Sequence, residues 1–302
     1  MTQKLIQMNS RLLSFFLATC EHRNITTAAR FLNITQPALT RSIKQLEAII
    51  GKQLFERLPN GVALTRQGEI LARRAKLMDL EYRHALAEIS ALEQGQVGEL
   101  RIGAGPVWIT TILPPVIAAF HAQYPKVKVI LTSGVINTLV PALTNGDIEL
   151  ICSTLDFPSQ AEVIKEPLIK IRHAVVARAG HPIFEAPHAS ANDLARYPWL
   201  VLANDHVGTS RIGSYFVANG LEPPTLAVET TSIGIFKILN EGNFLAHFSD
   251  RMLPDAEKFG IRKVSHDGTF WEGEAGIAYR KTGNPIRVLN SFTAILRASL
   301  SG

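Results

Sequence analysis

The 302-residue chain has only two cysteines, Cys20 and Cys152. Two widely spaced thiols exclude a disulfide scaffold and a multi-thiolate zinc site, and a reducing cytosol is the simplest compartment for them. Cys20 falls in a helical pattern and Cys152 in the apolar run Ile148-Glu149-Leu150-Ile151-Cys152, where a buried thiol acts as a small hydrophobe. No run of about 18 apolar residues occurs, so no segment reads as a membrane span. Lys4 followed by Leu12 to Cys20 imitates a short lipoprotein leader, but Arg11 and the continuing helical pattern argue against it. Enzyme signatures are also missing. There is no Gly-x-Ser-x-Gly elbow and no His-Glu-x-x-His, and the nine histidines are scattered without metal-ligand spacing. Gly103-Ala104-Gly105 hints at a dinucleotide fingerprint, but Trp108 stands where its third glycine belongs. No catalytic residue, metal or cofactor is therefore expected.

Charge of one sign is scarce everywhere except at the start. Residues 1–94 carry 13 Lys/Arg against 8 Asp/Glu, whereas residues 95–302 carry 18 of each, so the whole net charge of +5 lies in the first third. A polyanionic partner for that third follows, and nucleic acid fits better than a membrane surface because no long basic helix has a Trp/Phe face.

Residues 26–47 supply the element that would meet it. Leu12, Leu13, Phe15, Phe16 and Leu17 give residues 10–21 a broad apolar helical face. Asn24 or Thr26 can cap a second helix with Ala28, Ala29 and Leu32 turned inward, and adjacent alanines suit a close helix crossing. Asn33-Ile34-Thr35 makes a turn. Thr35 can cap a third helix, with Pro37 tolerated in its first turn. Leu39, Ile43, Leu46 and Ile50 then form one buried stripe, which leaves Gln36, Pro37, Thr40, Arg41 and Lys44 on the opposite face. This is a helix-turn-helix with double-stranded DNA as its partner. Gln36 can pair with adenine and Arg41 with guanine, while Thr40 can donate and Pro37 can pack on a thymine methyl. Gly51 ends the helix. Residues 54–66 read as two short strands about Pro59-Asn60-Gly61, a wing that places Arg57, Asn60 and Arg66 against the DNA backbone or minor groove.

From Gly68 to Glu93 the pattern is one long helix. Leu71, Ala75, Met78, Tyr82, Ala85, Ile89 and Leu92 alternate by four and three residues, a coiled-coil seam that predicts a homodimer through residues 68–94. Gly95 to Gly98 breaks it. Strands and helices alternate thereafter, which predicts an α/β part with a largely parallel sheet in two lobes. In such sheets ligands bind where strand ends meet helix starts. Four crossings qualify: Gly105-Pro106-Val107-Trp108, Ser133-Gly134, Gly208 to Arg211 with Ser210 at the helix start, and Thr230-Thr231-Ser232. Their hydroxyls and amides favour a carboxylate, Arg211 would add a fixed charge, and Trp108 an aromatic wall. The same hydroxyls also serve as plain helix caps, and Trp108 as core. An α/β enzyme and a transporter's solute-binding protein are the rival readings, and the basic first third has no place in the latter.

The chain resembles the LysR-type transcriptional regulators over its whole length. The specific match is Thr27-Ala28-Ala29 through Leu32, Thr35-Gln36-Pro37-Ala38-Leu39-Thr40-Arg41, Ile43, Leu46-Glu47, Gly51, Leu54-Phe55-Glu56-Arg57, Leu64-Thr65 and Gly68. Looser matches follow at Gly98 to Gly103, Leu113-Pro114, Tyr124-Pro125, Gly146 to Glu149 and His181-Pro182. Leu239 to Leu245 departs from the family's usual Gly-Leu/Ile-Gly-Ile segment. The resemblance implies a winged helix-turn-helix at 1–67, a dimerising linker helix at 68–94, and a periplasmic-binding-protein-like effector domain at 95–302. Its lobes would be about 95–164 with 270–302, and about 165–269. It also implies homotetramers built from dimers. The departure at Leu239 to Leu245 means that the family's ligand class does not carry over; the hydroxyls and amides at the helix starts are what point to a small organic or aromatic acid as effector, and RNA polymerase is a further candidate partner.

Overall fold

The computed structural model describes residues 10–94, 98–231, 234–281 and 287–301. The chain divides into two compact units, Met1–Leu86 and Ala87–Gly302.

The described part of the first unit opens with the helices α1 (Ser10–His22), α2 (Ile25–Phe31) and α3 (Gln36–Ile50). Asn24 caps α2, its side-chain oxygen accepting from the amides of Thr26 at 3.0 Å and Thr27 at 3.1 Å. Thr35 caps α3 by accepting from the Ala38 amide, with Pro37 in the first turn, where no intrahelical donor is lost. Ala28 and Ala29 are buried and let α2 sit close to its neighbours. With Phe16, Leu39, Leu46 and Leu54 they form the core of this unit. The expected stripe on α3 stops one turn early. Leu39, Ile43 and Leu46 are buried, but Ile50 is exposed because the chain turns away at Gly51, whose φ is 75°.

Strands β1 (Phe55–Leu58) and β2 (Gly61–Leu64) pair antiparallel with Leu58 opposite Gly61, so Pro59-Asn60 is the turn. The Val62 amide donates to the Arg23 carbonyl at 2.9 Å, which ties this wing to the segment between α1 and α2. A Cβ at Gly61 would lie 2.3 Å from that carbonyl, so no other residue fits there without movement. Arg66, expected on the wing, is instead the first residue of α4 (Arg66–Gln94). The helix starts early because the Thr65 hydroxyl accepts from the Gly68 amide at 3.0 Å. Along α4, Leu71 is half-buried and Ala75 buried, whereas Met78, Tyr82, Ala85 and Ile89 are exposed. The side chain of Leu92 lies outside the described residues, as do Gly95 to Val97.

The second unit is built on one mixed sheet in the order β10 (Ile261–Lys263), β6 (Val163–Arg178), β11 (Trp271–Arg280), β5 (Leu150–Thr154), β3 (Gly98–Ala104) and β4 (Val127–Ser133), with β9 (Ala246–Ser249) also paired to β6. Only β3 with β4 and β3 with β5 are parallel pairs in it. The expectation of a largely parallel sheet is therefore corrected. The chain leaves the first lobe along the 16-residue β6 and returns along β11, so these two strands run antiparallel and join the lobes. A second, two-stranded parallel sheet holds β7 (Trp199–Leu202) and β8 (Leu226–Thr230).

Lobe I packs α5 (Leu113–Gln123), α6 (Ile136–Thr144) and α11 (Arg287–Ser301) on β3 to β5, with Trp108, Phe120 and Phe292 at its centre. Arg297 of α11 clamps Glu166 of β6 with two bonds, at 2.7 and 2.8 Å, and that guanidinium holds the Glu166 carboxyl below its ordinary range. Lobe II carries α7 (Ala191–Ala195), α8 (His206–Ala218), α9 (Ile235–Glu241) and α10 (Leu253–Glu257), with a core around Leu194, Trp199 and Phe216. Ser232, expected at a crossing where a strand end meets a helix start, lies outside the described residues.

Candidate functional site

The first unit presents a polar face of α3 opposite its buried stripe. Gln36, Pro37, Arg41 and Lys44 are exposed and Thr40 half-buried. The Gln36 amide donates to the Thr40 hydroxyl at 3.0 Å, which fixes both side chains on one turn. Among the described residues no hydrogen bond or ion pair engages Arg41 or Lys44. Thr35 sits at the start of this face, spending its hydroxyl on the cap. Arg57 and Asn60 lie exposed on the wing, and Arg66 at the start of α4. Glu47 is a residue whose role the sequence did not disclose. Its Oε1 accepts from the Leu54 amide at 2.8 Å and the Phe55 amide at 3.4 Å, so α3 and the wing are braced by one carboxylate.

The second unit encloses a cavity of about 210 Å³ between its lobes. Lobe I contributes the turn after β3 (Gly105, Pro106, Val107, Trp108) and Gly134 after β4. All five are among the residues expected to bind ligand. Trp108 is at once core and wall, being fully buried while lining the cavity. It begins a π-helical turn, Trp108–Ile112, in which the Leu113 amide reaches back to the Trp108 carbonyl. Pro114 and Pro115 follow and carry no amide hydrogen, so an α-helical ladder cannot run through this point. Gly105 lets the chain pass close to Ser153, whose Oγ would lie 2.9 Å from any Cβ there.

Five expected residues do not line the cavity. Helix α8 starts at His206, capped by Asp205, whose carboxylate accepts from the Gly208 amide at 2.9 Å. Ser210 is therefore a turn inside the helix and exposed, with its carbonyl accepting from the Ser214 hydroxyl. Arg211 is paired instead with Asp156, in the segment after β5. Ser133 ends β4 with its side chain exposed, Thr230 ends β8 and Thr231 is exposed beyond it.

In their place the structure brings in His173, Asp205, His247, Ser249 and Trp271. The Nδ1 atoms of His173 and His247 are 2.9 Å apart, so one ring donates to the other. The Trp271 ring lies against His173 with centroids 4.0 Å apart. Burial pushes His247 down to about 4, against the opposing pull of the Asp205 carboxylate, and pushes His173 well below the ordinary imidazole range. Among the described residues Trp108 Nε1, Trp271 Nε1 and Ser249 Oγ are buried with no hydrogen-bond partner. The two histidines were visible in the sequence as polar residues on apolar strand runs. Their meeting was not, because 74 residues separate them.

A winged helix-turn-helix on one unit and a two-lobed sheet around a cavity of small-molecule size on the other define a DNA-binding transcriptional regulator with an effector-binding domain. The chain belongs to the LysR family: the bacterial regulatory helix-turn-helix model of the lysR family matches residues 10–69, and the LysR substrate binding domain model matches residues 93–301. It is 28% identical over 255 residues to the HTH-type transcriptional regulator GalR of Pseudomonas putida, a match that covers 83% of this chain and 64% of that protein. It is 29% identical over 224 residues to the regulator PcaQ of Agrobacterium fabrum, covering 74% of this chain and 72% of that one. The crystal structure of CbnR, a LysR family transcriptional regulator, superposes with a TM-score of 0.68 at 23% identity, over 97% of this chain and 99% of that one. The relatives are regulators, which sets aside the enzyme reading. No helix among the described residues is long and apolar enough to cross a membrane.

Proposed function

We propose that the chain is a cytoplasmic, ligand-controlled switch that reads an operator with Gln36, Pro37, Thr40 and Arg41. Thr35, Lys44, Arg57, Asn60 and Arg66 hold the DNA backbone beside them. The observation that carries this is the division of α3: one side is fully buried at Leu39 and Leu46, and the other offers Gln36, Arg41 and Lys44 to solvent. A surface of this kind supplies both bidentate base contacts and phosphate neutralisation. A structure of full-length CbnR in complex with its target DNA supports the assignment by likeness of fold.

The exposed row of Met78, Tyr82, Ala85 and Ile89 supports dimerisation through 68–94, with tetramers as the next level of assembly. A small organic acid is the effector. It must bind one arrangement of the lobes better than another, and the linker helices then carry that difference to the spacing of the paired α3 helices. RNA polymerase contact is the corresponding output at a promoter. A sequenced genomic footprint, taken with and without a panel of organic acids, tests the reading. A defined protected site whose extent changes with an acid is expected. Salt-sensitive binding without any preferred site would overturn it.

A further inference from the structure

The cavity wall holds several polar side chains, His173, Asp205, His247 and Ser249 among them. Among the described residues no Lys or Arg lines the cavity. Trp108, Trp271 and Ser249 line it, and among the described residues Trp108 Nε1 and Trp271 Nε1, which can only donate, and Ser249 Oγ are buried with no partner. Unmated buried donors are costly, and a ligand with acceptor oxygens would satisfy them. The remainder of the wall is largely apolar, with Val107, Ile171, Leu200, Phe236 and Met252. An acid fits this chemistry, yet its charge would enter a site that already holds the Asp205 carboxylate.

The resolution lies in the imidazole pair. With Nδ1 facing Nδ1 at 2.9 Å, one neutral ring donates its Nδ1 proton to the other, the acceptor ring carries its own proton on Nε2, and Nε2 of the donor ring is left to take one more. The groups that act on the pair are few. Asp205, at the start of α8, pulls on His247. The Phe270 and Trp271 rings pack on the pair from the β11 side, and Ser249 stands opposite His173 in the β6–β9 ladder. Arg211 lies 5.9 Å from the Trp271 ring centre with its charge engaged by Asp156, and Arg172 is paired with Glu272 at 2.6 Å.

We propose that the cavity takes a compact, mainly apolar carboxylic acid as its anion together with one proton, the carboxylate on the Trp108, Trp271 and Ser249 donors and the proton on the His173–His247 pair. This deepens the reading of the cavity as the effector site and rests on it. The free pair is held neutral by burial, so the proton arrives only with the anion. The linkage has a definite sign. An anion beside the pair raises its proton affinity, so the ligand binds more tightly as pH falls, from the pair's ligand-bound pKa down toward about 4.

Calorimetry of the full chain with sodium benzoate, in two buffers of different ionisation enthalpy, measures both affinity and protons taken up. Uptake near one proton per benzoate is expected, with affinity falling about tenfold per pH unit within that window. Trp fluorescence reports whether the cavity is occupied, and benzamide serves as the uncharged probe. The His173→Gln/His247→Gln double variant should lose the proton uptake and the pH slope and bind benzoate more weakly than the parent chain. Fluorescence quenching by benzoate with no proton uptake, or benzamide binding as tightly as benzoate, would overturn the proton-coupled proposal and leave the effector site standing. Neither probe binding at millimolar concentration would overturn the acid class for the cavity as well.

Discussion

Gln36 and Thr40 are joined by a 3.0 Å hydrogen bond across one turn of α3, so the two enter a DNA groove as a unit rather than as two mobile side chains. Arg41, next in sequence, points out beside them with no partner among the described residues. Prepositioned neighbours and a free fork-shaped guanidinium are what bidentate base reading requires. Arg41→Ala is expected to remove about 1–3 kcal/mol of discrimination between operator and random duplex, with the secondary structure unchanged by circular dichroism. Lys44→Ala should weaken both duplexes alike and flatten the salt dependence by about one unit of slope. Fluorescence anisotropy across a salt series separates the two; full operator preference in the Arg41 variant would refute the base-reading role.

Gly68 is the first residue of α4 to meet the core of the first unit. A Cβ placed on it would stand 2.1 Å from the Leu54 carbonyl and 2.9 Å from the Leu64 side chain. The N–H of the same residue, Leu54, donates to Glu47 of α3, so a shift of Leu54 reaches the reading helix. Gly68→Ala should therefore lower stability by about 1–3 kcal/mol despite alanine's better helix propensity. A thermal melt of residues 10–86 within the full chain would show it as an earlier first transition, and an unchanged or later transition would contradict the close approach.

The Gly61, Gly51 and Thr35 signals were readable in advance because each acts within a few residues of chain. The same holds for the stripe Leu39, Ile43, Leu46, whose period needs no partner to be seen. Strand β6 was half-hidden for an equally local reason. Pro167 sits in it at a bulge, where the pairing with β11 shifts between Ala275 and Gly276, and a proline in a run speaks against a strand. The cavity was legible only on the lobe I side, where Gly105 to Trp108 and Gly134 follow strand ends. On the other side, Asp205 started α8 four residues ahead of Ser210, which carried Ser210 and Arg211 away from the cavity. The His173–His247 contact depends on antiparallel pairing of β6 with β9, and register between distant strands is not written in either strand alone.

Tyr82 and Ile89 are 64% and 60% exposed, too much apolar area for a helix face with nothing against it. They fall seven residues apart on the seam with Met78 and Ala85, the spacing that a second helix would cover. Tyr82→Asp combined with Ile89→Asp should move the chain toward monomer in sedimentation velocity. Operator affinity should fall by more than tenfold, since paired half-sites need paired α3 helices. An unchanged sedimentation coefficient would place the dimer contact elsewhere.

Arg211 and Asp156 pair from opposite lobes, α8 of lobe II to the segment after β5 of lobe I. Val207, at the start of α8, packs against the Ile136 and Leu139 cluster of lobe I alongside them. Both contacts favour the closed arrangement, in which the cavity is enclosed. The ion pair is 44% and 43% exposed at its two side chains, and pairs of that exposure contribute about 0.2–1 kcal/mol. Asp156→Asn is therefore expected to weaken benzoate binding by less than about fivefold. The pH slope should stay the same, because the His173–His247 proton is untouched. If the loss reached a hundredfold, the pair would have to act as a gate, holding an equilibrium that the apolar contacts of Val207 alone cannot hold. A loss of a fewfold makes it a bias on lobe closure, which the ligand's own contacts across the cavity then complete.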